Sequence, residues 1–153
     1  MMKAVNIYFN FEGKTEEAFN FYKSIFGGEF QGGIMRFRDF PPMEGMEDMP
    51  PLKEEEMDLV GHVALPITEQ VTLMGTDVTS NMPEKLVIGN NINITLEVDS
   101  AAKAESLFSK LSEGGRVIMP LTEMFWAEKY GACVDKFGIH WQVNFTGNKA
   151  MGA

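Results

Sequence analysis

The chain has 153 residues and a formal net charge of −9 at pH 7, and 44% of its residues are hydrophobic. This size and balance are typical of one globular domain, or of two small halves that share a core. The negative charge argues against non-specific binding to DNA or RNA, because it would repel their phosphates.

The first half of the chain alternates between strand and helix patterns. Residues 4–11 alternate apolar and polar side chains, which predicts a strand. Residues 15–26 carry one apolar stripe at helical spacing, with Thr15 as the expected cap, and Gly27 and Gly28 follow. A second strand is expected over 29–37 and a strand pair over 59–67 and 71–75.

The segment from residue 38 to residue 58 is rich in proline, methionine and carboxylates, which predicts a loop. A loop of this length is commonly either a disordered connector or a mobile lid. Its methionines Met43, Met46 and Met49 would suit a lid over an apolar ligand, because the methionine side chain adapts its shape easily.

The same order of elements then starts again. Strands are expected over 92–98, 116–119, 129–134 and 139–145, a helix over 100–111 capped by Asp99 or Ser100, and a loop over 120–128. Asn6 and Asn93 stand at matching places 87 residues apart, and a Gly-Gly pair follows each predicted helix. The repeat indicates two βαβββ modules, at about 4–76 and 92–146, joined by a linker over 77–91.

Alternation along the predicted strands places the apolar side chains against the helices and a polar set on the other face. That polar set is rich in His, Asn, Gln, Tyr and Thr and poor in formal charge, whereas a solvated sheet face would show scattered Lys and Glu. We interpret it as a concave surface that orients a small ligand, with a solvated face or a dimer seam as the alternatives. The candidate pocket residues are Tyr8, His62, Asn93, Glu97, Trp126, His140 and Gln142.

Three segments and the βαβββ repeat resemble the vicinal oxygen chelate superfamily, also called the glyoxalase/bleomycin-resistance/dioxygenase superfamily, and its PhnB-like branch. The segments are EEAFNFYKSIFGGEF at 16–30, GHVALPI with TLMGTD at 61–67 and 72–77, and FWAEKYGACVDKFGIHWQVN at 125–144. The resemblance implies an α+β fold. In it, both modules pair into a curved mixed sheet that forms a cup, with the helices on the outer face.

The metal-dependent members of that superfamily hold one divalent ion with His, Glu or Gln side chains. The resemblance implies that the equivalent positions in this chain are near Asn6, near Met74, at Asn93 and at Gln142. Asparagine and methionine are poor replacements for imidazole and carboxylate, and one amide does not hold a cation against water. We therefore expect no cofactor and no standard metal site, with a divalent metal at His62, His140 and Gln142 as the weaker alternative.

The two histidines of the chain, His62 and His140, each admit three roles. They can be hydrogen-bonded side chains that shape the pocket, general bases that titrate near neutral pH, or metal ligands. We favour the first role over the second, and both over the third. Trp126 can stack on a ligand or cap the core.

The function that these expectations favour is a small-molecule-binding protein without the standard metal site, whose catalytic status and residues stay open. The alternatives are a metal-dependent lyase, dioxygenase or antibiotic-modifying enzyme, and a dimer that sequesters a drug. The resemblance also implies a homodimer. Cys133 is expected to be buried and inert. Without an apolar run of about 20 residues or a secretory leader, we expect a cytosolic protein that does not enter membranes.

Overall fold

The structure is a computed structural model that describes residues 1–149. It contains two compact units, Met1–Val87 and Ile88–Ala153. Each described unit has the βαβββ order that the repeat predicts, so the α+β fold class is confirmed. Within residues 1–149, no helix is long and apolar enough to cross a membrane.

The first unit is a four-stranded mixed sheet with one helix. Its elements are β1 (Ile7–Phe11), α1 (Thr15–Phe26), β2 (Met35–Arg36), β3 (Val60–Pro66) and β4 (Thr72–Asp77). The strand order is β1-β4-β3-β2, with β1 parallel to β4 and the other pairs antiparallel. The apolar face of α1 packs on the sheet, where Phe9, Phe11, Phe19 and Tyr22 are buried.

The second unit repeats this plan. Its elements are β5 (Ile94–Glu97), α2 (Ala101–Ser112), β6 (Arg116–Met124), β7 (Ala127–Val134) and β8 (His140–Phe145). The strand order is β5-β8-β7-β6, again with one parallel pair, β5 and β8. Trp141 and Val143 on β8 are fully buried, on the face that alternation assigns to the helix.

Two predicted segments differ from the structure. The strand expected over 29–37 is reduced to Met35–Arg36, because Gly32 and Gly33 adopt positive φ angles of 73° and 71°, which turn the chain. The loop expected over 120–128 is instead mostly strand, since β6 continues to Met124 and β7 begins at Ala127. Pro120 is tolerated because β6 lies at the end of the strand order and its register is irregular there.

The two helices begin differently. Ser100 caps α2 as predicted, because its side-chain oxygen accepts a hydrogen bond from Lys103 N at 3.1 Å. Thr15 is not the cap of α1 but its first residue, and it is fully buried. Its backbone N–H and its hydroxyl both donate to Asp77 Oδ1, at 3.1 and 2.7 Å, while Val60 N donates to Asp77 Oδ2 at 2.9 Å. A buried carboxylate at the end of β4 therefore fastens the helix to the sheet.

Candidate functional site

In the first unit, Tyr8 and His62 come together on the sheet face that does not carry the helix. The Tyr8 hydroxyl lies 3.3 Å from His62 Nδ1, and the two ring centroids are 6.0 Å apart. The strand register explains this contact. Tyr8 pairs with Met74 on β4, and Met74 pairs with Ala64 on β3. His62 lies two residues before Ala64, so its side chain is on the same face. Partial burial raises the pKa of Tyr8, so the phenol stays protonated at neutral pH and can donate.

In the second unit, Glu97 and Asn144 form the centre of a hydrogen-bonded network. Asn144 Nδ2 donates to Glu97 Oε2 at 2.6 Å. Thr146 donates to Glu97 Oε1 from its backbone N–H at 3.1 Å and from its hydroxyl at 2.7 Å. Burial opposes ionisation of Glu97, but the hydrogen bonds from Thr146 and Asn144 together outweigh it and lower the pKa of this carboxyl.

Trp126 joins the same network at the turn between β6 and β7. Its indole Nε1 donates to Asn144 Oδ1 at 3.1 Å. Its ring packs edge to face with Tyr130 at 5.2 Å and with the exposed Phe125 at 4.8 Å between centroids. One hydrogen bond and two aromatic contacts therefore fix the orientation of the indole beside the polar sheet face.

Gln142 is the member of this face with unused donors. Its Oε1 accepts a hydrogen bond from the Thr95 hydroxyl at 2.8 Å. Its two Nε2 hydrogens have no partner among residues 1–149. The side chain is thus oriented by Thr95 and presents N–H donors, which suits an acceptor atom of a ligand.

The remaining candidates of the second unit lie at the edges of this arrangement. His140 is on the same face of β8 as Gln142, but it is largely buried beside Val134. Asn93 is exposed and precedes β5 rather than lying in it. The structure therefore links Glu97 and Trp126 through Asn144. Gln142 and Thr95 form a separate hydrogen-bonded pair on the same sheet, and Asn93 lies outside both sets.

Asn144 and Thr146 were missed as candidate site residues. Asn144 had a usable signal, since it alternates with His140 and Gln142 along β8. Thr146 had none, because it lies just past the strand and reaches Glu97 only through the parallel pairing of β5 with β8.

The residues at the positions of the superfamily's metal ligands do not fit a divalent cation. They offer three amides and one thioether, and the oxygen of the Gln142 amide is engaged by Thr95. Glu97, the nearest carboxylate in sequence to Asn93, has both oxygens occupied by Asn144 and Thr146. Over residues 1–149, no three His, Cys, Asp or Glu side chains are grouped so that they could hold a metal ion.

Cys133 is not suited to nucleophilic chemistry. It lies in β7 on the helix side of the sheet, opposite the buried Trp141, and is itself buried. Burial first, and the nearby Asp135 second, raise the pKa of the thiol to about 11. The thiolate, which is the reactive form, is therefore scarce at neutral pH, as the sequence predicts.

The segment from residue 38 to residue 58 forms one wall of a cavity in the first unit. The cavity has a volume of about 580 Å³, and Met43, Met46 and Met49 all lie in its lining. Two short 3₁₀ turns, Phe37–Asp39 and Glu54–Glu56, shape the segment. The segment therefore contributes most of the apolar lining of this cavity, and its methionines lie on the cavity side.

Together, the fold of the two units and the sheet-face residues define the class of protein. The family model described as the Glyoxalase/Bleomycin resistance protein/Dioxygenase superfamily matches residues 9–143 of this chain. The chain belongs to this superfamily, as the sequence segments and the repeat predicted.

Several known proteins are similar to this chain over nearly their whole length. The chain is 33% identical to protein PA1353 of Pseudomonas aeruginosa, whose crystal structure matches with a TM-score of 0.76 over 94% of this chain and 98% of that one. It is 26% identical to a PhnB protein of Bacillus cereus, described as a putative 3-demethylubiquinone-9 3-methyltransferase, with a TM-score of 0.70 over 94% and 99% of the chains. Protein YjdN of Escherichia coli is 24% identical over 141 residues, which are 90% of this chain and 91% of that protein. The resemblance to the PhnB-like branch is confirmed.

Proposed function

We propose that this chain binds an uncharged small molecule through the polar sheet face of its second unit, without a metal at the superfamily's usual positions. The single observation that carries the proposal is the oriented Gln142 amide, whose Nε2 donors have no partner within residues 1–149 while Thr95 holds its oxygen. A donor oriented in advance costs little entropy when a ligand arrives.

The neighbouring groups indicate which kind of ligand fits. The Trp126 and Tyr130 rings offer an apolar surface beside Asn144, which lies two residues from Gln142 along β8, and such rings pack against flat or aliphatic groups. Glu97 and the net charge of −9 disfavour an anion at this face. The ligand class is therefore a neutral molecule with a carbonyl or amide oxygen next to an unsaturated or aromatic group.

A ligand screen with matched variants tests the proposal. Neutral aromatic ketones and amides are screened by thermal shift, and hits are measured by calorimetry. We expect Gln142→Leu, which removes the N–H donors, to weaken a hit at least about tenfold, the loss of about 1.4 kcal/mol that one hydrogen bond can supply. Gln70→Leu, at an exposed position in the β3–β4 turn, is the control and should bind as the wild type does.

Two results would contradict the proposal. One is a screen in which no neutral carbonyl compound shifts the melting temperature. The other is binding that Gln142→Leu leaves intact.

A metal titration separates this proposal from a metal-dependent enzyme. Calorimetry with Ni²⁺, Mn²⁺, Zn²⁺ and Fe²⁺ should show no micromolar site, because the amides and thioether at the expected positions are weak ligands for these ions. Micromolar binding that is lost in a His62→Ala or His140→Ala variant would instead favour the metal-dependent alternative.

The proposal also includes a homodimer in the cytosol. Val117, Ile118 and Met119 leave apolar surface exposed on β6, at the end of the second unit's strand order, and such edges tend to pair with another chain. Light scattering after gel filtration should give the mass of two chains, and Ile118→Lys should shift it toward one. A monomeric wild type would exclude the dimer without affecting the ligand proposal.

A further inference from the structure

Among residues 1–149, no charged residue lines the cavity of the first unit. Its walls are Phe37, Phe40, Met43, Met46, Met49, Pro50, Pro51, Leu52, Thr79, Asn81, Met82 and Pro83. The segment that contributes most of them is otherwise crowded with charge, including Glu44, Glu47, Asp48 and Glu54, which are exposed. The chain thus directs its carboxylates to water and its thioethers, prolines and phenyl rings to the cavity.

Internal bonds occupy the few polar groups of the lining. The Thr79 hydroxyl donates to Asn81 Oδ1 at 2.7 Å, and Asn81 Nδ2 donates to the Pro50 carbonyl at 3.0 Å. The hydrogen bond between Asn81 and Pro50 joins the two walls of the cavity, one formed by the segment 38–58 and the other by residues 79–83. The polar groups thus hold the walls in place, and the surface left for a ligand is apolar.

A second connection fixes the same two walls. Glu56 accepts hydrogen bonds from Ser80 N at 2.7 Å and from the Ser80 hydroxyl at 2.9 Å. Arg38 pairs with Glu54 and Asp58 at 2.9 Å each, which closes the base of the segment. These bonds maintain an open apolar cavity that would otherwise collapse on itself.

The cavity lies on the opposite side of β3 from the polar face. A Cβ built on Gly61 would lie 2.6 Å from Phe40 Cζ, so the Phe40 ring fills the space next to this glycine. His62 is the next residue of the strand and therefore points to the other face. The cavity is accordingly separate from the Tyr8 and His62 pair.

We propose that this cavity is a second ligand site, specific for an uncharged apolar small molecule. Its volume of about 580 Å³ lies within the roughly 300–1,000 Å³ typical of small-molecule pockets. Met43 and Met46, which are 51% and 42% exposed, form the part of the wall that a ligand would cover. Flexible thioethers fit ligands of different shapes, so we expect the cavity to select apolar ligands without requiring one particular ligand shape.

A neutral fluorescent probe tests the assignment. N-phenyl-1-naphthylamine, whose emission rises in apolar surroundings, should bind at one site per chain. Met46→Glu places a charge in the lining and should weaken binding at least tenfold, because the carboxylate would lose water when the probe enters. Met2→Glu, at a position 81% exposed outside the cavity, makes the same chemical change and should leave binding unchanged. Gln142→Leu should also bind the probe normally, which separates this site from the polar face of the second unit.

Oxidation mapping gives an independent measurement. Dilute peroxide converts exposed methionines to sulfoxides. Saturating probe should slow oxidation of Met43 and Met46 at least severalfold, with Met2 oxidised at its original rate. Met46→Gln, which is uncharged, replaces Met46→Glu if circular dichroism shows that the charged variant does not fold.

Three outcomes would overturn the assignment. The first is the absence of saturable probe binding. The second is binding that neither Met46 variant weakens. The third is a wild-type dimer that Met46→Glu or Met46→Gln dissociates, since a second copy of the chain would then cover the cavity.

Discussion

The two units share one plan and differ in the connection that follows the helix. In both, the first strand pairs in parallel with the last, and the other pairs are antiparallel. After α1 the chain forms a strand of two residues and then the long proline- and methionine-rich segment, whereas after α2 it forms the nine-residue strand β6. The first unit has a cavity at this connection, whereas the polar network of the second unit lies on β5 and β8. The repeat thus determines the sheet, and the long connection of the first unit adds a cavity to it.

The anchoring of the helices shows the same divergence. The buried carboxylate of Asp77, at the end of β4, accepts hydrogen bonds from the first residue of α1, whereas α2 is capped by Ser100, the residue just before it in the chain. The stability of the first unit should therefore depend on one buried side chain more strongly than that of the second.

The largest effect is expected from Asp77→Asn. The amide retains one acceptor but turns an NH₂ group toward the N–H of Val60 or of Thr15, which leaves buried donors facing each other. We expect a loss of about 3 kcal/mol in the free energy of unfolding. Urea denaturation measures it, and hydrogen exchange should place the lost protection in the first unit.

The matched control is Asp99→Asn, at the exposed residue before the cap of α2. It should change stability by a few tenths of a kcal/mol, because exposed charges near a helix start contribute little. Equal losses in the two variants would remove the distinction between the helices.

The second prediction concerns a feature that the units share. A Cβ on Gly75 would lie 2.5 Å from Phe19 Cε2, and one on Gly131 would lie 2.7 Å from Phe108 Cε2. Each glycine lets a helix phenylalanine pack on its sheet, so Gly75→Ala and Gly131→Ala should each cost about 2 kcal/mol by overpacking. Thermal unfolding measures both, with Gly89→Ala, where the nearest atom is 3.7 Å away, as the control. If only one of the two alanine variants lowers the melting temperature, the two helices do not pack on their sheets in the same way.

Ser100→Ala should have a smaller effect, about 1 kcal/mol, because it removes the oxygen that accepts from Lys103 N. Ser100→Asp retains an acceptor at the cap and should restore most of the stability. If alanine and aspartate give the same urea midpoint, the capping bond contributes nothing.

The smallest effect is a pH dependence at Glu97. The pKa of Glu97 is lowered in the folded state. Its carboxylate therefore stabilises the fold at a pH above the unfolded pKa of about 4.3, and this stabilisation is lost as the pH falls through the lower pKa of the folded state. The stability difference between the wild type and Glu97→Gln should therefore shrink below about pH 4. Glu113→Gln, at the exposed residue that follows α2, is the control, and a wild-type-minus-Glu97→Gln difference that is constant with pH would contradict the assignment.

Local patterns predicted most of the architecture. Alternation located β1, β3, β4, β5 and β8, and helical spacing located α1 and α2 to within a residue. The errors lie at glycine and proline. Gly32 and Gly33 turn the chain where a strand was expected, and Pro120 lies inside a strand where a loop was expected. The first outcome depends on the backbone conformation of two glycines and the second on the pairing of β6 with β7, and periodicity contains neither.

The candidate site was predictable in part. Alternation placed Tyr8 and His62 on one face of their sheet and Glu97 and Gln142 on one face of theirs, because side chains in a strand have a period of two. It did not reveal that Asn144 connects Glu97 with Trp126, since these residues meet only through strand pairing and a turn.

The sequence by itself determined the repeated βαβββ units, the superfamily and the weak metal ligands at Asn6 and Asn93, because periodicity and residue chemistry are local properties. Only the tertiary structure decided which polar groups satisfy one another and which keep free donors. It also decided that the methionine-rich segment lines a cavity. Those outcomes depend on atoms far apart in the chain approaching to within hydrogen-bonding or packing distance, as Glu56 does with Ser80.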